Sequence, residues 1–179
     1  MRTACLLLAL ALGAGAAHGA TVQRFDLSRL AELADAIIVG RVIDTEARFE
    51  GTRIVTRARV QLDACLKGDP GSVVVVETLG GEVDGLGQVV SGMARFKAGE
   101  QVALFLERHG ADAWRTVGLA QGKLTVDIGP LGVRLVRDLD GLSLVQRGPD
   151  GRLIPAPDLP AAEDMAGFLA DLVLALEPR

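Results

Sequence analysis

Between Arg53 and Leu66 the chain reads RIVTRARVQLDACL, and polar and apolar residues alternate almost without interruption. Ile54, Ala58, Val60, Leu62, Ala64 and Leu66 share one parity, while Arg57, Arg59, Gln61 and Asp63 share the other. A period of two over such a length specifies a long strand with one face in a core and one in water. A strand of this length must twist and coil to serve a small core, so a flat sheet is disfavoured.

The neighbouring segments agree. IIVGRVIDTEARFE, from Ile37, is a second long β-branched run, and Glu50-Gly51-Thr52 between the two reads as a hairpin turn. Gly40 lies inside the first run, where a bulge or sharp bend is expected. KGDPG (67–71) is a tight turn, and SVVVVETL (72–79) reads as a strand buried on both faces. Further strands are expected at QVALFLE (101–107), AWRTVGL (113–119), KLTVDI (123–128), GVRLVRDL (132–139) and LSLVQR (142–147). Helical spacing marks two places. DLSRLAELAD (26–35) carries Leu27, Leu30, Leu33 and Ala34, with Asp26 or Ser28 as N-cap. Near the C-terminus Met165, Phe168, Leu169, Leu172, Val173 and Leu176 form an apolar stripe behind a first turn at Ala161–Asp164. That stripe is expected to cover the chain's own barrel, although such a face can also dock a partner. Strands without intervening helices argue against a parallel sheet. The expectation is a mainly β fold: a small OB-like antiparallel barrel with a short N-terminal helix and a C-terminal amphipathic helix.

The first nineteen residues, MRTACLLLALALGAGAAHG, have a positive Arg2, an apolar run and a small-x-small end, and read as a signal peptide cut before Ala20. The apolar run is too short for a comfortable membrane span, so no integral span is expected after cleavage. The expected organisation is therefore a leader at 1–19, a β-barrel domain at 20–153, and a Pro-rich linker with the closing helix at 154–179. Removing the leader takes away Arg2 and leaves 18 basic against 23 acidic residues, a net charge of −5. Nothing in that balance attracts nucleic acid. Secreted or periplasmic localisation follows as an expectation.

The residue inventory excludes more chemistry than it suggests. GGEVDGLGQVVSGMARF (80–96) is rich in glycine, but it lacks the lysine of a phosphate-binding loop, the third glycine of a dinucleotide fingerprint and the G-x-S-x-G of a nucleophile elbow. Cys65 and His109, the one cysteine and one histidine outside the leader, are too few for a zinc site. They would need a third orienting group to act as a dyad. Glu82 and Asp84 are two carboxylates of a kind common in solvated loops. Arg53, Arg57 and Arg59 are candidates for an anionic partner, though outward charges on a strand are more often its solvated face. No metal, cofactor or catalytic residue is expected. A hydrolase reading would have to draw its acids from Asp63, Glu77, Glu82, Asp84 and Glu107, and a periplasmic small-ligand binder would need an apolar pocket.

ADAIIVGRVIDTEARF followed by TRARVQLDACLKGD resembles the opening of netrin-like and tissue-inhibitor-of-metalloproteinase domains, through Ala34, Asp35, Ile37, Val39, Arg41, Val42, Lys67 and Gly68. The chain is also similar to a group of exported bacterial proteins with Gly80-Gly81, Ser91-Gly92, Phe96, Gly99-Glu100, Phe105-Leu106 and the stretch Val117–Lys123. Together the resemblances span roughly residues 27 to 126. They imply an exported OB-like barrel acting by surface contacts. The zinc-chelating N-terminal cysteine of the metalloproteinase inhibitors has no counterpart at Ala20-Thr21-Val22, so their mechanism does not carry over. The expected function is a non-enzymatic binding module for another exported protein, such as a secreted protease or an envelope protein. Its expected contact loop is Glu82, Val83, Asp84, Gly85, Leu86, Gly87 and Gln88.

Overall fold

The computed structural model describes residues 19–130 and 132–177, so the expected leader, Gly19 apart, lies outside the described residues. In chain order the elements begin with strand β1 (Ala20–Gln23), helix α1 (Leu27–Leu33), and strands β2 (Ala36–Glu50), β3 (Arg53–Lys67) and β4 (Val73–Leu79). A short hairpin follows, β5 (Gly81–Val83) and β6 (Leu86–Gln88), then β7 (Gln101–His109), β8 (Ala113–Thr116) and a 3-10 turn at Leu119–Gly122. The chain ends with β9 (Lys123–Gly129), β10 (Gly132–Val136), β11 (Leu142–Arg147), β12 (Leu153–Pro155), β13 (Ala162–Asp164) and helix α2 (Met165–Leu176).

The alternation that begins at Arg53 becomes one strand, β3, paired along nearly its whole length with β2. Hydrogen bonding then runs β7–β2–β3–β4–β8, and β8 pairs back with β7. Five strands therefore curl into a small, partly closed OB-like barrel. All its pairings are antiparallel except β4–β8, which run parallel and meet at a single bridge, Val76 to Trp114. Closure needs curvature. The β2–β3 ladder shifts register at Ile37/Ile38, Val39/Gly40 and Val42/Asp44. At Gly40 an added Cβ would overlap the Gln61 carbonyl oxygen, so glycine is what lets the two backbones cross this closely.

Parity sorts side chains into two cores. Ile38, Val42, Val60, Val74, Val76, Leu104, Leu106 and Trp114 fill the barrel interior. The opposite parity of β7, with Ala103 and Phe105, points outward onto a second core with Leu30, Ile37, Leu124, Leu135, Phe168 and Leu172. That outer core is roofed by the two helices, which pack on one another. Phe168 meets Phe105 edge-on, with ring centroids 6.2 Å apart. Beyond β7, β9, β10 and β13 extend the sheet off the barrel, while β11 holds β1 in parallel and β12 antiparallel in a separate sheet. The segment after β1 is latched by Gln121, wholly buried, whose amide accepts from the Phe25 N–H at 2.9 Å and donates to the Gln23 carbonyl at 3.0 Å.

Three local expectations change. SVVVVETL is buried on one face only: Val74, Val76 and Thr78 point inward, whereas Val73 and Leu79 are exposed, because the outer face of β4 carries no helix. The closing helix starts at Met165 rather than Ala161. Ala162–Asp164 pair with β10, Glu163 is drawn to the buried Arg137 at 2.6 Å, and Asp164 caps the helix through the Gly167 N–H. The Pro-rich segment contains a strand, β12, with Pro155 at its end.

Candidate functional site

The glycine-rich stretch follows from its backbone demands. Gly80 and Gly81 have φ of 99° and 135°, where glycine is the residue without steric penalty; Gly80 ends β4 and Gly81 opens β5. Asp84 and Gly85, both at positive φ, form the two-residue turn of the β5–β6 hairpin. Two side-chain bonds tie the hairpin to the barrel: the Ile54 N–H donates to Gln88 Oε1 at 2.6 Å, and the Thr56 hydroxyl donates to the Gly80 carbonyl at 2.6 Å. All seven residues of the expected contact loop, Glu82 to Gln88, lie on this excursion. Leu86 is 63% exposed and Val89, just beyond, 79% exposed. The sequence reads Val89, Val90, Met93 and Phe96 as the residues that bring this excursion back to the core. Val89 stays in water, whereas Phe96 does pack against the barrel interior; Gly92 and Ala94 are buried, and the Thr78 hydroxyl donates to the Ala94 carbonyl.

Two clefts flank the end of β4. One, of ≈450 Å³, runs under the hairpin between Gly81, Gln88, Val90 and Phe96. The other, of ≈540 Å³, opens toward the β7–β8 turn and collects Glu50, Arg53, Glu77, His109 and Arg115 around Val55, Leu79, Met93 and Leu119. Thr78, Leu79 and Met93 border both. Leu119 enters from a left-handed backbone, φ 62°, immediately after Gly118, a strained conformation for a leucine.

The charges here are largely neutralised from within. Glu77 accepts from Arg57 at 2.5 Å and lies 3.8 Å from His109 Nε2. Glu107 accepts from Arg115 at 2.9 Å. Hydrogen bonding from Arg48 holds the Glu50 carboxyl below the usual carboxylate range, and Arg59 does the same to Asp44. Those shifts are opposite to what a general acid requires.

The expected residues are thus only partly gathered. Of the five candidate acids, Glu77 lines the larger cleft and Glu107 reaches it through Arg115, while Glu82 and Asp84 sit on the hairpin. Asp63 is at the other end of the barrel, accepting from Gln101 at 3.3 Å. Cys65 is also at that far end, exposed, with its thiol directed at the Lys67 and Gly68 carbonyls. It forms no pair with His109. Arg53 lines the larger cleft; Arg57, paired with Glu77, and Arg59, paired with Asp44, line a smaller one of ≈350 Å³. Among the described residues no cluster of metal-ligating side chains occurs, and no helix is long and apolar enough to cross a membrane. Sequence reasoning missed Thr78, Met93, Arg115 and Leu119. Arg115 was readable as the outward residue of AWRT, but Leu119 carried no signal because its position depends on Gly118. No protein-family model matches the chain, and no curated protein matches it in sequence.

Proposed function

We propose that this chain is an exported, non-enzymatic binding module that contacts another exported protein through the hairpin and the adjoining end of β4. The observation that carries this reading is a hairpin fastened at its base, with exposed apolar side chains on it and just beyond it. Gln88 and Thr56 fasten its base to the barrel, while Leu86 and Val89 remain in water. Pre-organised contacts lose little conformational entropy on association, and exposed apolar groups supply the gain. Side chains fill the barrel interior, which takes support from a small-ligand binder with an internal pocket. The division of the candidate acids between the two barrel ends takes support from a hydrolase. Export rests on the pattern of residues 1–19.

The test is capture from the secreted and periplasmic fractions, with residues 20–179 as bait beside a Leu86→Asp/Val89→Asp variant. A protein retained by the first bait and lost from the second is the expected result. Equal retention by both baits, or hydrolytic turnover by the purified chain, overturns the reading.

A further inference from the structure

The larger cleft lies at the one weak seam of the barrel. Beyond the single bridge from Val76 to Trp114, β8 leaves β4 while its ladder to β7 continues, the Val117 N–H donating to the Phe105 carbonyl at 2.9 Å. Alternation fixes which main-chain groups of β4 face this gap. The Gly80 N–H bonds Ile54 and the Ser72 carbonyl accepts from Leu62, so the even-numbered residues of β4 are spent on β3. Glu77 and Leu79 therefore direct their main-chain groups to the seam; the Trp114 bridge uses the Glu77 N–H, and past it no strand among the described residues pairs with the Glu77 carbonyl or with Leu79.

The side chains beside that open edge are of two kinds. Val55, Leu79 and Met93 make an apolar strip. Arg53, His109 and Arg115 bring cationic and donor groups to it. The three glutamates nearby are already engaged: Glu77 by Arg57, Glu50 by Arg48 and Glu107 by Arg115. Arg53 makes no ion pair among the described residues. Arg53 is thus the arginine of this cleft left for an anion from outside.

We infer that this cleft binds an extended peptide segment in which an acidic side chain neighbours an apolar one. The segment adds to the β4 edge at Glu77–Leu79 through main-chain hydrogen bonds, which is strand addition to an exposed edge. Its carboxylate meets Arg53, with His109 as a second donor, and its apolar side chain lies on Val55, Leu79 and Met93. A free dicarboxylate would satisfy the arginine but leave the edge and the apolar strip unused. The inference names the partner chemistry for the binding reading above and rests on it.

The experiment uses residues 20–179 and three probes: a fluorescein-labelled peptide of alternating valine and glutamate, its valine–lysine counterpart, and free glutarate as competitor. The acidic peptide is expected to bind at least about tenfold more tightly than the basic one, and Arg53→Glu to remove that preference. Arg53 is exposed at the first position of β3 and makes no ion pair among the described residues, so its replacement is expected to leave the melting temperature nearly unchanged. Exchange of the Leu79 amide should slow about tenfold when the acidic peptide is bound. Equal binding of the two peptides, an unprotected Leu79 amide, or displacement by equimolar glutarate overturns the inference. Loss of peptide binding with hairpin-dependent protein capture intact refutes the cleft alone, whereas loss of capture refutes the wider reading.

Discussion

Gly40→Ala tests the geometry that closes the barrel. Gly40 sits in β2 at a register shift, with an ordinary negative φ, so alanine meets no torsional penalty there. The obstacle is the Gln61 main chain of β3, with Val60 Cγ1 next, and a carbonyl in a paired strand cannot swing aside. Overpacking of this kind costs about 1–3 kcal/mol. Stiffening the unfolded chain by replacing glycine returns about 0.4–1 kcal/mol. A net loss of about 1–2 kcal/mol is expected, which for a chain of this size is a fall in Tm of roughly 2–8 °C. Gly87→Ala is the internal control: its added Cβ meets nothing within 4 Å and its φ is also unexceptional, so that variant should melt at or slightly above the parent. Differential scanning calorimetry of both variants reads the contrast directly. If Gly40→Ala melts with or above the parent, β2 and β3 do not cross as closely as described, and the account of barrel curvature fails.

Phe168→Ala removes the main anchor of α2 on the outer core, where its ring meets Phe105, and should destabilise by about 3–5 kcal/mol; a loss below about 1 kcal/mol in urea unfolding would show that the helix does not depend on this contact. Gln121→Leu leaves the Phe25 N–H and the Gln23 carbonyl without partners at about 1–3 kcal/mol per group, and the Phe25 amide should exchange with solvent much faster. An unchanged exchange rate there would remove the latch. Asp44 and Glu50 have carboxyls lowered in the folded state by Arg59 and Arg48, so their contribution is present above the unfolded carboxylate pKa of about 4 and lost as pH falls through the lower folded values. Asp44→Asn/Glu50→Gln should therefore lower Tm slightly at pH 7 and no longer do so near pH 2; a gap that widened on acidification would reverse the sign of the linkage.

The sequence by itself determined the elements whose signal is local. Alternation in Arg53–Leu66 specifies a long half-buried strand, Gly40 specifies an irregularity in its neighbour, and the spacing of Leu27, Leu30 and Leu33 specifies a helix whose cap, open between Asp26 and Ser28 in the sequence, is Asp26 in the structure. Each follows from backbone periodicity and steric limits, which act over a few residues. Tertiary structure decided the rest. Whether Val73 and Leu79 face a core depended on a helix roof that ends before β4, and whether Ala162–Asp164 were helix or strand depended on the free edge of β10. The larger cleft exists only because β8 leaves β4 after one bridge, bringing His109, Arg115 and Leu119 beside Arg53 and Glu77 from across the chain. Such juxtapositions are set by closure of the barrel, and no pattern within any one segment encodes them.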